Sequence, residues 1–231
     1  GFDGILDAYL GKAPEKFTYE GVEYTPKSFA KDYIGLDADD YVELTSYTHH
    51  PFYEKFIIEV PDNWLWGEVY NLPLDELMQV MENAIMDGYT IGWAADVSEK
   101  GFKYRKGIAV VPETDTKNMT DSEISKWQKL TPEQKAGVAG PVKEKVITQE
   151  MRQEGFDNYT TTDDHGMHII GLAKDQKGNK YFIVKNSWGL GFNDYNGCFY
   201  ASVPFVKYKT MSIMINKNAI PKQLRDKLDI K

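Results

Sequence analysis

"DDHGMHII" occupies residues 163–170 and "FIVKNSWG" occupies 182–189. Each contains a short apolar run rich in β-branched and aromatic residues, the composition of a strand. Between them "KDQKGN" (174–179) carries Gly178 and turn-forming polar residues, so the two runs predict an antiparallel hairpin. His165 opens the first strand and Asn186 ends the second, and the hairpin sets them side by side. A histidine that works as a base must be held in one tautomer by a partner on its other ring nitrogen. An asparagine oxygen does this without adding charge. Taken singly, each residue is as well read as a satisfied strand-end histidine and a turn asparagine. It is the compound of "KNSWG" after one strand and "DHGMHIIG" at the start of the other that points to chemistry.

Outward from this hairpin the pattern is mixed. Phe2, Ile5, Leu6, Tyr9 and Leu10 recur at helical spacing, ended by Gly11. The helix begins without a cap, as if the chain started in mid-protein. In "YTPKSFAKDYIG", Thr25 is an N-cap, Pro26 the first helical position and Gly35 the stop. "YVELTSYT", "KFIIEV" and "YTIGWAADV" predict strands. Leu74, Leu77, Met78, Met81 and Ile85 mark a helix stopping at Gly88, with Met78 and Met81 in its core face. Residues 98–140 are polar, with helix starts at Thr120 and at Thr131-Pro132. "PVKEKVITQEMRQEG" predicts a helix closed by Gly155. "GCFYASV" and "TMSIMIN" predict further strands, and "PKQLRDKLD" a last helix. The expectation is an α+β chain read as one C-terminal portion over 1–231. Residues 1–160 are expected to be mostly helical with some strands, and 161–220 to form an antiparallel sheet.

Composition narrows the class. The 231 residues are 42% hydrophobic and 27% charged, as in an ordinary globular protein. A net charge of -8 argues against a nucleic-acid partner, which would call for a basic face. No apolar run approaches the length of a bilayer span, so no membrane partner is expected. The single cysteine, Cys198, permits no intrachain disulfide. That fits a reducing compartment such as the cytoplasm. No signal peptide is visible at "GFDGILDAYL", but a removed leader leaves no trace, so secreted and periplasmic placement stay open.

The hairpin resembles that of the papain-like cysteine peptidases, whose histidine segment opens an apolar strand and whose asparagine lies in "NSWG", here Asn186-Ser187-Trp188-Gly189. Further upstream, "LGKAPEKFTYEG", "NLPLDELMQVMENAIMDGYTIGWAADV" and "DDHGMHIIG" are similar to the aminopeptidase C and bleomycin hydrolase branch. The resemblance implies a papain-like fold, a peptide substrate and no metal or organic cofactor. It assigns His165 as general base and acid, Asn186 as the residue orienting it, and Trp188 as the cover over their hydrogen bond. Asp164 is expected near the imidazolium, in a solvated turn with Asp163.

The resemblance also implies a glutamine and a "CW" nucleophile that begins a helix well over a hundred residues before the histidine. No such segment occurs in this sequence. Cys198 follows both His165 and Asn186 in a strand-like context and reads as a small buried hydrophobe. The nucleophile is therefore expected in an upstream Cys-bearing portion, and the 231 residues alone are expected to be inactive. Relatives of this branch carry a C-terminal arm and assemble as hexamers. Here the sequence stops at "LRDKLDIK", so endo- against aminopeptidase action and homo-oligomerisation both stay open. The alternative is a non-catalytic peptide-binding or regulatory protein that kept the cleft without the nucleophile.

The remaining histidines and charged runs have plainer readings. His165 and His168 are three apart on a strand, hence on opposite faces, which excludes a shared metal. His168 is expected in the core or on the second face. His49-His50-Pro51 and "KGFKYRKG" (100–107) read as loops, the latter solvated.

Overall fold

Alternation decides the central sheet. Ile91, Trp93 and Ala95 are buried while Gly92 and Ala94 turn to the other face, and Met167 and Ile169 are buried while Gly166 and His168 are not. That is the period-2 signature of strands with one face in a core. The computed structural model describes residues 1–61, 63–113, 120–135 and 143–231, in two compact units, Gly1–Tyr41 and Val42–Lys231.

The first unit holds the expected helix α1 (Phe2–Leu10), the hairpin β1 (Phe17–Tyr19) and β2 (Val22–Tyr24), and α2 (Pro26–Ser28), capped by Thr25 and continuing as a π-turn over Phe29–Tyr33. Its core is aromatic. Phe29 stacks on Tyr33 at 4.9 Å and meets Phe17, Tyr19 and Tyr24 edge-on.

The second unit is built on ten strands: β3 (Tyr41–Thr45), β4 (Lys55–Ile57), β5 (Glu68–Asn71), β6 (Ile91–Ala95), β7 (Phe102–Lys103), β8 (Ile108–Ala109), β9 (His165–Lys174), β10 (Lys180–Lys185), β11 (Cys198–Ser202) and β12 (Thr210–Asn216). They run in the order β4-β5-β3-β12-β6-β9-β10-β11-β8-β7. The predicted hairpin is β9–β10, antiparallel, with a bulge between Ile183 and Val184. The sheet is mixed, because β3 pairs with β5 and β11 with β8 in parallel. Six of its ten strands come from residues before 110, beyond the 161–220 stretch where the sequence concentrates its strand signal.

Helices accompany the sheet. These are α3 (Leu74–Met86), α4 (Asp121–Gln128), α5 (Pro132–Lys135), α6 (Gln149–Asp157), α7 (Val203–Lys209) and α8 (Lys222–Lys227). Of these, α3 lays Leu77, Met78 and Met81 into the main core against Trp93, Ile169 and Ile213, and α7 adds Phe205 and Val206. Met78 and Met81 are thus core residues, as expected.

Two local expectations change. The helix predicted from "PVKEKVITQEMRQEG" starts only at Gln149, where Thr148 caps it by accepting from the Met151 N–H. Residues 141 and 142 lie outside the described residues, and 143–147 run extended beside 111–113, with Lys145 N–H donating to Val111 O. Gly155 does not close α6. It lies inside the helix, where a Cβ would come within 2.9 Å of Thr161 Oγ1, so its role is close packing. The "KGFKYRKG" run is not a solvated loop. It forms β7 and a 3-10 turn over Tyr104–Lys106, and Tyr104 is buried.

Candidate active site

His165 is half-buried at the start of β9, and Asn186 is 3% exposed just past the end of β10. His165 Nε2 and Asn186 Oδ1 are 2.8 Å apart. The same oxygen accepts the backbone N–H of Ser187 at 2.7 Å. That second bond fixes the chemistry of the first. Reversing the amide would set an NH₂ against an N–H, so Oδ1 must be the atom between Ser187 and the ring. The imidazole then carries its hydrogen on Nε2 and donates it to Asn186. The neutral ring keeps its lone pair on Nδ1, which makes no hydrogen bond among the described residues. An imidazole so held is a base presented at one chosen nitrogen.

The asparagine is anchored from below. Its backbone N–H donates to Gly197 O at 3.0 Å. Gly197 has φ +74°, and a Cβ there would meet Gly189 O at 2.9 Å, so only glycine fits. Trp188 lies over the pair, its ring centroid 5.0 Å from that of His165. It remains 40% exposed. Tyr104 holds Trp188 edge-on at 4.9 Å, and Phe102 does so at 6.0 Å. Sequence reading missed these two because they lie in the lysine-rich "KGFKYRKG". The signal available was their spacing, since residues 102 and 104 share a strand face.

Lys209 and Asp96 hold the approach to His165. Both are buried, 3.4 Å apart. Lys209 Nζ also donates to Thr160 O at 2.5 Å and Thr161 Oγ1 at 3.3 Å, while Asp96 Oδ2 accepts the Thr162 N–H at 3.1 Å. Burial raises the Asp96 carboxyl, but hydrogen bonds from Ser98 and Thr162 and the Lys209 charge outweigh it and hold the group below its ordinary value. Three consecutive residues before the strand are thereby pinned, and Ala95, next to Asp96, faces His165 in register.

Other predicted residues fall as follows. Asp164 accepts the Thr162 hydroxyl at 2.6 Å. Cys198 is half-buried in β11. It pairs with Lys185, which pairs with His168, so all three share a face opposite to that of His165. His168 is on the second face and is exposed there rather than buried. His49 stacks on Phe156 at 5.2 Å and shares a hydrogen bond with Gln153, and His50 stacks on Phe56 at 4.4 Å. Among the described residues no cluster of ligating side chains could hold a metal ion, and no helix is long and apolar enough to cross a membrane.

Comparison with known proteins places these features. The family model described as "Peptidase C1-like family" matches residues 6–136, and that of the "Papain family cysteine protease" matches 114–204. The chain is 24% identical over 235 residues to aminopeptidase C of Listeria innocua serovar 6a, covering 95% of this chain and 47% of that protein. It is 24% identical over 212 residues to aminopeptidase G of Lactobacillus delbrueckii subsp. lactis, covering 88% and 41%. The crystal structure of PepW from Lactobacillus rhamnosis HN001 shares the fold, with a TM-score of 0.67 at 20% identity over 98% of this chain and 48% of that one. The chain spans about half the length of the curated relatives it matches.

Proposed function

The chain belongs to the Peptidase C1-like family, and from that membership we propose that it supplies the histidine and asparagine of a cysteine peptidase whose thiol lies in a Cys-bearing portion outside these 231 residues. The observation that carries this reading is the 2.8 Å bond from His165 to Asn186, with the Ser187 N–H fixing the tautomer. The position of Cys198 on the opposite face supports a nucleophile from elsewhere. So does the length of the relatives, about twice that of this chain.

In the assembled enzyme His165 takes the cysteine proton at Nδ1, giving a thiolate–imidazolium pair. The thiolate attacks the peptide carbonyl, and the imidazolium returns its Nδ1 proton to the leaving amine as the C–N bond breaks. The thioester that remains is hydrolysed by water deprotonated at the same nitrogen, and the thiol is restored. Asn186 keeps the ring in place through both halves, and Trp188 limits the access of water to the Nε2–Oδ1 bond. The substrate is a peptide, and the likeness to aminopeptidases C and G supports action at its amino end.

The test is reconstitution. The 231-residue chain by itself should release no product from fluorogenic peptide amides. Joined to its Cys-bearing portion it should cleave them, and thiol alkylation should abolish the activity. Cleavage by the chain alone would place the nucleophile within it. A folded assembly that binds peptides and never cleaves them would make this a peptide-binding protein instead.

A further inference from the structure

The loop 187–196 joins β10 to β11 and carries Trp188. Its large side chains Leu190, Phe192 and Tyr195 are exposed, so burial of apolar surface does little to hold it in place. Hydrogen bonds do, and they converge on one half-buried side chain, Asn193. Asn193 Nδ2 donates to Cys198 O at 2.8 Å and to Tyr104 O at 3.2 Å. Its Oδ1 accepts the N–H of Tyr195 at 3.0 Å and that of Gly197 at 3.2 Å. Both donors and both acceptor sites of the amide are therefore used. Turned over, the amide would set its NH₂ against two N–H groups and its oxygen against two carbonyls, so its orientation is fixed.

Two routes lead from this amide to His165. Along the first, Asn193 holds the Gly197 N–H, and Gly197 O accepts the Asn186 N–H at 3.0 Å. Asn186 Oδ1 in turn meets His165 Nε2. Along the second, Asn193 holds the Tyr104 carbonyl, and the Tyr104 ring stands edge-on to Trp188, which lies against His165. The four bonds of Asn193 go to none of His165, Asn186 and Trp188, so whatever it does to the pair it does through Gly197 and Tyr104. The two routes start from separate segments, the turn at Tyr104 and the entry to β11, and a single rigid amide keeps them in register.

We propose that Asn193 is a positioning residue for the His165–Asn186 pair, setting Asn186 from one side and Trp188 from the other. The proposal rests on the peptidase reading for the reaction that the positioning serves. The alignment itself is a property of this chain and is read without a nucleophile.

The ring-nitrogen chemical shifts of His165 in the 231-residue chain, taken by NMR above the pH at which the imidazole becomes neutral, report which nitrogen carries the proton. The unmutated chain should hold the Nε2–H tautomer. In Asn193→Ala the other tautomer should appear, and the Nε2 proton should exchange with water about ten-fold faster, the scale of one hydrogen bond lost. Asn193→Asp keeps the oxygen toward Tyr195 and Gly197 and loses the donors, so its exchange should lie between the two. It carries the test if the alanine variant does not fold. Thr148→Ala, which weakens α6 away from the loop, controls for a general loss of stability and should leave the tautomer unchanged. In the assembled enzyme Asn193→Ala should lower kcat about ten-fold and leave KM within about two-fold, as misalignment of a base does. A disturbed ring with an unaltered kcat would support the positioning and count against the peptidase reading. An unchanged tautomer and exchange rate in the folded Asn193 variants, or the same change in Thr148→Ala, would overturn the proposal.

Discussion

The Ser187 N–H decides what His165 can do. It holds Asn186 Oδ1 toward the ring, so Nε2 is occupied and Nδ1 is the nitrogen left for the proposed proton transfers. Losing the base and losing its orienting partner should therefore differ in scale. In the assembled enzyme His165→Ala should lower kcat/KM by about a thousandfold or more, within the range known for general bases and nucleophile partners. Asn186→Ala should lower it by roughly ten- to a hundredfold, because the ring keeps its basicity and loses its alignment. Steady-state kinetics on one fluorogenic amide compares them, and equal losses would deny Asn186 a merely orienting part. Cys198→Ser should leave activity within about three-fold, since removal of a true nucleophile costs orders of magnitude more. At this scale the sequence was highly legible. The hairpin rule sets the strand-end residues His165 and Asn186 side by side, and they lie 2.8 Å apart, whereas Trp188 followed from the resemblance alone. Phe102 and Tyr104 could not be named, because what they touch is a tryptophan more than eighty residues away, and the lysines around them suggest solvent.

Among the elements, the segment 160–162 and the strand it feeds are the most tightly held. Lys209 is 2% exposed and bound to Asp96, Thr160 and Thr161. Lys209→Met leaves Asp96 buried without its cation and should cost about 3–5 kcal/mol, read as a lowered urea midpoint. Because the Asp96 carboxyl is held below its ordinary value, its contribution to stability is complete above about pH 4, the unfolded carboxyl value. It is lost as pH falls through the folded value. Urea midpoints taken at pH 7 and pH 3 should therefore differ less for Lys209→Met than for the unmutated chain. An equal pH dependence would show that the pair contributes nothing to acid sensitivity. Thr148→Ala should cost about 1 kcal/mol through the cap of α6. Element existence was legible where amphipathic spacing and caps coincide, as in α3, α4 and β9–β10. It failed where tertiary pairing overrides local pattern. Residues 143–147 have helical-looking spacing but are drawn out beside 111–113. The helix α7 was hidden in "VPFVKYK", whose β-branched and aromatic residues carry a strand signal that the Ser202 cap and Pro204 overrule.

Across the whole molecule, sheet order was beyond the sequence. A period of two says that a strand is buried on one face and says nothing of its neighbour, so the parallel pairs β3–β5 and β8–β11 had no local signature. The α+β class and the papain-like likeness were legible, because they rest on the order of elements around one compound motif. What the fold leaves is an imidazole whose Nδ1 makes no hydrogen bond among the described residues, and on the proposed reading its thiol partner comes from outside the chain. The most direct test is the pH dependence of thiol alkylation in the assembled protein, measured by iodoacetamide incorporation at the active cysteine. Paired with His165, that cysteine should alkylate rapidly well below pH 7. In His165→Ala the reaction should retreat to the range of an ordinary thiol, with a midpoint near pH 8.5, about the value of a free cysteine. Identical alkylation profiles with and without His165 would contradict the account, because the imidazole would then have no thiolate to hold.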